Sequence, residues 1–166
     1  MTSFLTAFNR TMGFEGKCLT QDPHDPGGQT FWGISRVNHP EWGGWKWVDE
    51  GDRQSPSLIS LVQDFYIKEF WKVAQCQEYQ SQELANQVFD AFVNLGGRGL
   101  KLLQSLLGVT VDGVIGQETM DMLAKQDQDY MAKNYITARE AYYKDLVYQH
   151  PNLAIYLNGW LNRCVA

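Results

Sequence analysis

The chain has 166 residues, 44% of them hydrophobic and 20% charged, with six Trp, eight Tyr and eight Phe. That supply of apolar side chains builds a core and excludes a disordered chain. The net charge of −5 comes from 14 basic and 19 acidic residues with no Lys/Arg run, which argues against nucleic acid as a partner and requires any anionic polymer to be gripped in a cleft.

The first ten residues lack a charged start followed by an apolar block, so no signal peptide is expected and the protein is expected to be made in the cytoplasm. No stretch has the apolar length of a membrane span, and no membrane insertion is expected. After Ser3, a candidate N-cap, Phe4, Leu5, Phe8, Thr11 and Met12 recur at helical spacing and predict a first helix that ends between Gly13 and Gly16. Glu15 then lies at a helix C-terminus, where the dipole disfavours negative charge and helps keep a carboxyl protonated. From Lys17 to about Gly51 the chain is rich in Gly and Pro and predicts loops with one short hairpin.

Ser55-Pro56 reads as an N-cap with Pro at the first helical position, and Leu58, Leu61, Val62, Phe65, Tyr66, Phe70 and Val73 continue one amphipathic helix. Leu84 to Leu95 predicts the next, stopped by Gly96-Gly97, and Leu100 to Leu107 a shorter one stopped by Gly108. A turn over Val109 to Gly116, a short helix over Gln117 to Lys125 and a long one over Asp129 to Tyr148 follow, and Pro151 opens a last helix through Trp160. Cys18, Cys76 and Cys164 are far apart, odd in number and without metal-ligand spacing, so neither a disulfide framework nor a zinc site is expected. The whole reads as mainly α, with a small irregular lobe forming one side of a cleft.

The chemistry-bearing residues concentrate between Glu15 and Ser35. A lone acid meets Gly16; a second acidic cluster, Asp22-Pro-His-Asp25, then sits in a segment too rich in Pro and Gly to be helical. Such a layout can hold two carboxylates, or a carboxylate and an aligned water, across a cleft, which is what cutting a glycosidic bond needs. Asp25 stands five residues before Thr30, so a short turn could set carboxylate and hydroxyl side by side around one water. Asp22 competes for the same role, or serves as an Asx-Pro turn residue. A calcium site from Asp22 and Asp25 would lack the alternating acid ladder such sites use.

Glu15-Gly16 followed by Asp22-Pro-x-Asp25-Pro-Gly-Gly28-x-Thr30-x-x-Gly33-Ile-Ser35 resembles the opening of glycoside hydrolase family 108, the N-acetylmuramidases often carried by phages and prophages. The similarity continues in Val88-Phe-Asp90-Ala-Phe-Val-Asn94-Leu-Gly96 and in Leu103-Gln-Ser-Leu-Leu-Gly108, Val111-Asp-Gly113-Val-Ile-Gly116-x-x-Thr119 and Gly159-Trp-Leu-Asn-Arg163. These last motifs resemble the predicted peptidoglycan-binding region that accompanies the family. Two features depart from it: Glu15-Gly16-Lys17-Cys18 stands where the family commonly has Glu-Gly-Gly-Tyr, and Trp42-Gly-Gly-Trp45-Lys-Trp47 has no counterpart.

The resemblance implies a lysozyme-like α+β fold with a catalytic region over 1–95 and a helical peptidoglycan-binding-like region over 96–166, packed together as one unit. It implies an endolysin-like enzyme that cuts the β-1,4 bond between N-acetylmuramic acid and N-acetylglucosamine, as a monomer, without cofactor or metal, on wall peptidoglycan reached after release or export. Glu15 would be the general acid, with Asp25 and Thr30 holding the water. Asn94 and Trp32 are candidate sugar contacts, against a buried amide and a core ring; Gly28 and Gly33 are candidates that would serve through the backbone. Asp90 reads as structural and Arg163 as an ion pair supporting the fold. A lytic transglycosylase, or a non-catalytic wall-binding or phage structural module, are the competing activities; the Asp25/Thr30 pair argues against the first.

Overall fold

A computed structural model describes residues 1–15, 19–21 and 28–165, without the side chains of Glu15 and Gln21. Lys17, Cys18, Asp22, His24 and Asp25 lie outside the described residues. Helix α1 spans Phe4–Glu15 and is started by Ser3, whose Oγ accepts from the Thr6 N–H at 3.3 Å. Three short strands follow, β1 (Leu19–Gln21), β2 (Gln29–Phe31) and β3 (Ile34–Ser35), in one antiparallel sheet of that order. Then come α2 (Trp45–Asp49) and α3 (Pro56–Tyr66). The rest is helical: α4 (Gln82–Leu95), α5 (Gly97–Leu107), α6 (Gln117–Leu123), α7 (Gln128–Gln149) and α8 (Ala154–Val165). The fold is thus mostly helical with a small antiparallel sheet, a lysozyme-like α+β arrangement.

Two expectations need correction. The segment from Lys17 to Gly51 carries a three-stranded sheet and a short helix where one hairpin was expected; strands of two and three residues are too short to display alternation. The helix expected to run from Pro56 to Val73 closes at Tyr66 and continues as a π turn over Ile67–Trp71. The extra residue in that turn shifts the phase of the side chains. Trp71 is thereby buried, 4% exposed, edge-on to Phe4 at 5.7 Å and to Phe89 at 5.8 Å.

The chain forms two compact units, one of Met1–Ala7 with Phe70–Ala166 and one of Phe8–Glu69. The second unit packs its sheet and α3 around Phe8, Met12, Phe31, Ile34, Leu58, Val62 and Tyr66, all buried. In the first unit α4 lies against α5 and α7, and α7 against α8. Its interior is apolar around Leu84, Val88, Phe89, Leu100, Leu103 and Tyr135, with buried polar side chains among them. Asp90 on α4, 3% exposed, meets Arg139 of α7 (Nη2 to Oδ2, 2.7 Å) and Arg163 of α8 (Nε to Oδ2, 2.9 Å). Arg139 also donates to Gln87 Oε1 at 2.6 Å, and Gln87 donates to the Cys164 carbonyl at 2.9 Å. Burial, the largest single influence, opposes the charge on Arg139, but the interactions led by the Asp90 carboxylate together outweigh it and hold the guanidinium protonated. Cys76 and Cys164 are free, and burial pushes both thiols up.

Removing one partner of such a network leaves buried charge without compensation, at a cost of about 3–5 kcal/mol. Asp90→Ala is expected to lose stability on that scale in urea unfolding; a change below about 1 kcal/mol would show that the network is as cheap as a surface pair.

Candidate active site

Glu15 is the last residue of α1, and the Phe8–Glu69 unit contains both it and the sheet that carries Thr30. Thr30 sits in the centre of β2, paired with Thr20 on β1 and with Ser35 on β3. Directly opposed residues share a face, and the Thr20 and Thr30 hydroxyls are hydrogen-bonded to each other across the strands. A hydroxyl has one donor and two acceptor sites, so Thr30 keeps capacity for a further partner. Thr20 was not singled out from sequence. Its only signal, a β-branched residue in Leu19-Thr20-Gln21, becomes meaningful once the register is known.

The pairing of β2 with β3 is set by the turn between them. The turn has two residues, Trp32 and Gly33, with φ of 48° and 77°. Positive φ at both central positions marks the type I′ turn, whose twist matches a hairpin and which ordinarily takes Asn-Gly. Trp32 is a costly occupant of the left-handed region, and two contacts hold it there. Its ring lies against Phe8, 6.0 Å between centroids and 15° from parallel, and its carbonyl accepts from the Tyr66 hydroxyl at 2.7 Å. At 8% exposure the ring is part of the core. Gly28, also at positive φ (61°), precedes β2.

Asn94 lies in the last turn of α4, half-buried, one turn after Asp90. With its amide oriented to accept, its carbonyl oxygen takes hydrogen bonds from Arg163 Nη1 at 2.6 Å and Nη2 at 3.0 Å. Asn94 is therefore engaged by the guanidinium that also binds Asp90.

The C-terminal motifs are organised by Gln104, buried on α5. Its Nε2 donates to Asp112 Oδ1 at 2.8 Å and to the Val114 carbonyl at 3.0 Å, while its Oε1 accepts from the Gly113 N–H at 2.7 Å. The Val111-Asp112-Gly113-Val114 segment is thus a turn folded onto one glutamine. The Gln104 amide, then the Val114 N–H, lower the pKa of the Asp112 carboxyl. Among the described residues no group of three His, Cys, Asp or Glu side chains could hold a metal ion, and no helix is long and apolar enough to cross a membrane.

Against known proteins, residues 8–96 match the family model described as Glycosyl hydrolase 108, and residues 98–165 match the one described as Predicted Peptidoglycan domain. No curated protein matches the chain. Among solved structures, SagA of Brucella abortus is similar with a TM-score of 0.66 and 23% identity, over 98% of this chain and 93% of that one. At that identity the likeness speaks for the fold.

Two predictions follow from the geometry. Replacing Trp32 by Asn gives the turn its preferred residue and relieves about 1–2 kcal/mol of left-handed strain. It also removes a buried aromatic worth about 3–5 kcal/mol, so Trp32→Asn should lower stability by roughly 1–4 kcal/mol in urea unfolding; a gain would show that the ring does not pack as described. For Asp112, the lowered folded pKa means a contribution present above the ordinary value of 3.8 and lost as pH falls through the folded value. Wild type should lose its advantage over Asp112→Asn when unfolding is repeated below about pH 4; a difference independent of pH would refute the pairing.

Proposed function

The chain belongs to the glycosyl hydrolase 108 family, and we propose that this peptidoglycan-acting glycoside hydrolase is an N-acetylmuramidase that uses Glu15 as its general acid. The observation that carries the reading is the family match over 8–96, which spans Glu15, Asp25 and Thr30 in the order and spacing of a carboxylic acid, a carboxylate and a hydroxyl. Glu15 ends α1, where the carbonyl end of a helix disfavours a negative charge and favours a protonated carboxyl.

In the reaction, Glu15 gives its proton to the glycosidic oxygen as the bond from N-acetylmuramic acid C1 breaks. Asp25 and Thr30 hold a water that adds to C1, its proton passing to the carboxylate. The Thr20–Thr30 hydrogen bond supports this by fixing the Thr30 hydroxyl on a paired strand, so that orientation is set before substrate binds. Trp32, Gly28 and Gly33 act through the conformation of the hairpin that presents Thr30. Asn94, the other candidate sugar contact, has its amide at the end of α4 engaged by Arg163. Residues 1–95 form the catalytic region and 96–166 the peptidoglycan-binding-like region of one endolysin-like monomer, which degrades the bacterial wall from within.

Mass spectrometry of purified peptidoglycan digests tests the reading. Wild type should release muropeptides with reducing N-acetylmuramic acid ends, and folded Glu15→Gln should be slower by at least about 10²-fold. Asp25→Asn should lose less, because Thr30 still holds the water. Substantial turnover by Glu15→Gln would remove Glu15 from its role; anhydro products would make the enzyme a transglycosylase; no products from wild type would leave a wall-binding module.

A further inference from the structure

The segment Trp42-Gly43-Gly44-Trp45-Lys46-Trp47 has no part in the hydrolysis just described. Within the Phe8–Glu69 unit it borders a cavity of about 370 Å³, whose lining includes Asn38, Glu41, Trp42, Phe65, Lys68 and Glu69. An adjoining space of about 190 Å³ shares Trp42, Phe65, Lys68 and Glu69 and adds Asp64. The first space alone is in the range of small-molecule sites.

Trp42 is held rigidly there yet is not buried. Its ring is stacked on Phe31 (6.4 Å, 27°) and meets Trp45 and Phe65 edge-on (5.1 Å and 6.5 Å). Gly44 lies so close that a Cβ would come within 2.2 Å of the ring, so only glycine allows this approach. Trp45, beside it, is 5% exposed and donates its indole N–H to the His39 carbonyl at 2.7 Å. Trp42 is half-buried, and its indole N–H has no hydrogen-bond partner among the described residues. A preorganised aromatic ring with an unspent donor, lining a cavity, is what a ligand site needs.

The rim selects the ligand. Glu41 and Glu69 offer carboxylates, Asn38 an amide and His39 an imidazole; Asp64 adds a third acid next door, and Lys68, the one Lys or Arg lining either space among the described residues, has its Nζ 3.4 Å from Glu69 Oε1. Three carboxylates to one amine disfavour an anionic peptide. They suit a neutral ring that presents hydroxyl and amide donors at its edge and a face of C–H groups to an aromatic plane. We propose that this cavity is a second saccharide site, which takes an N-acetylhexosamine unit of a glycan strand away from the bond being cut. The choice of sugar rests on the peptidoglycan reading above. The separation from the cutting point rests on the pleat: Trp42 packs on Phe31, and Phe31 and Thr30 are successive residues of β2 that point to opposite faces. A second contact with one polymer raises retention on the insoluble wall without altering the chemistry.

The test uses the full chain, 15N-labelled as Glu15→Gln and titrated with the N-acetylglucosamine tetramer, reading the indole N–H resonances by NMR. The Trp42 resonance, assigned through Trp42→Phe, is expected to move with saturation, and Glu41→Gln with Glu69→Gln is expected to weaken that titration at least fivefold. In the Glu15 background the same pair should raise KM on sacculi at least fivefold, with kcat and the cleavage of a soluble tetrasaccharide unchanged. A Trp42 resonance that stays still with the tetramer, one that moves only with a peptidoglycan stem tetrapeptide, or a titration indifferent to the Glu pair would overturn the proposal. If wild type released nothing from sacculi the hydrolase reading would fall, while the titration would still decide whether the cavity binds sugar.

Discussion

Asp90 places a carboxylate where solvent cannot reach it, between guanidiniums from two other helices, and the larger unit is arranged around satisfying that charge. Two arginines against one aspartate would leave a buried positive excess. The carbonyl oxygens of Gln87 and Asn94, at 2.6 Å from Arg139 and Arg163, supply the missing negative dipoles. Asp90, Gln87 and Asn94, which accept from the two guanidiniums, come from α4, and the guanidiniums from α7 and α8. The network therefore fixes the azimuth of α4 against both helices, a specification that the non-directional apolar contacts around it do not provide.

The smaller unit solves a different problem, how to hold a sheet of eight residues. So few ladder hydrogen bonds give little stability on their own. The unit relies instead on aromatic contacts that run from Phe8 to Trp32, from Phe31 to Trp42, and from Trp42 to Trp45 and Phe65. Trp32 shows which effect prevails. Its left-handed backbone costs less than its ring gains in the core, so packing chooses the turn residue against local preference. The hairpin that carries Thr30 is correspondingly stiff.

Legibility in the sequence followed length. The long helices were readable from their 3.6-residue periodicity, and α4 through α8 lie within a few residues of where apolar stripes put them. Strands of two or three residues, α2 and the π turn carry too few positions for a period to show. Asp90 and Arg163 were readable as structural because a charge on an apolar helix needs a partner. Arg139 was not, although its place between Tyr135 and Tyr143 at i, i+4, i+8 puts it on the buried face of α7. At the candidate site, the acid, acid, hydroxyl order was visible, but the pairing of Thr30 with Ser35 depends on a two-residue turn that no local pattern announced, since its first residue is a tryptophan, and the pairing with Thr20 joins strands too short to show a period.

Trp32 and Trp42 sit differently in the unit for a reason that only backbone geometry supplies. Trp32 lies in the conspicuous motif, yet a positive φ followed by Gly33 turns its ring onto Phe8 and into the core. Trp42 lies outside the motif, and Gly44 beneath its ring lets it rest in the unit while keeping part of its surface in a polar-rimmed cavity. Residue type alone would assign sugar stacking to either. Exposure decides, because a ring that is 8% accessible has no face left to offer, whereas a half-buried ring whose donor has no partner among the described residues retains both a face and a hydrogen bond. The aromatic chain through Phe31 then links the two, so that one set of contacts shapes the hairpin under Thr30 and positions the ring at the cavity.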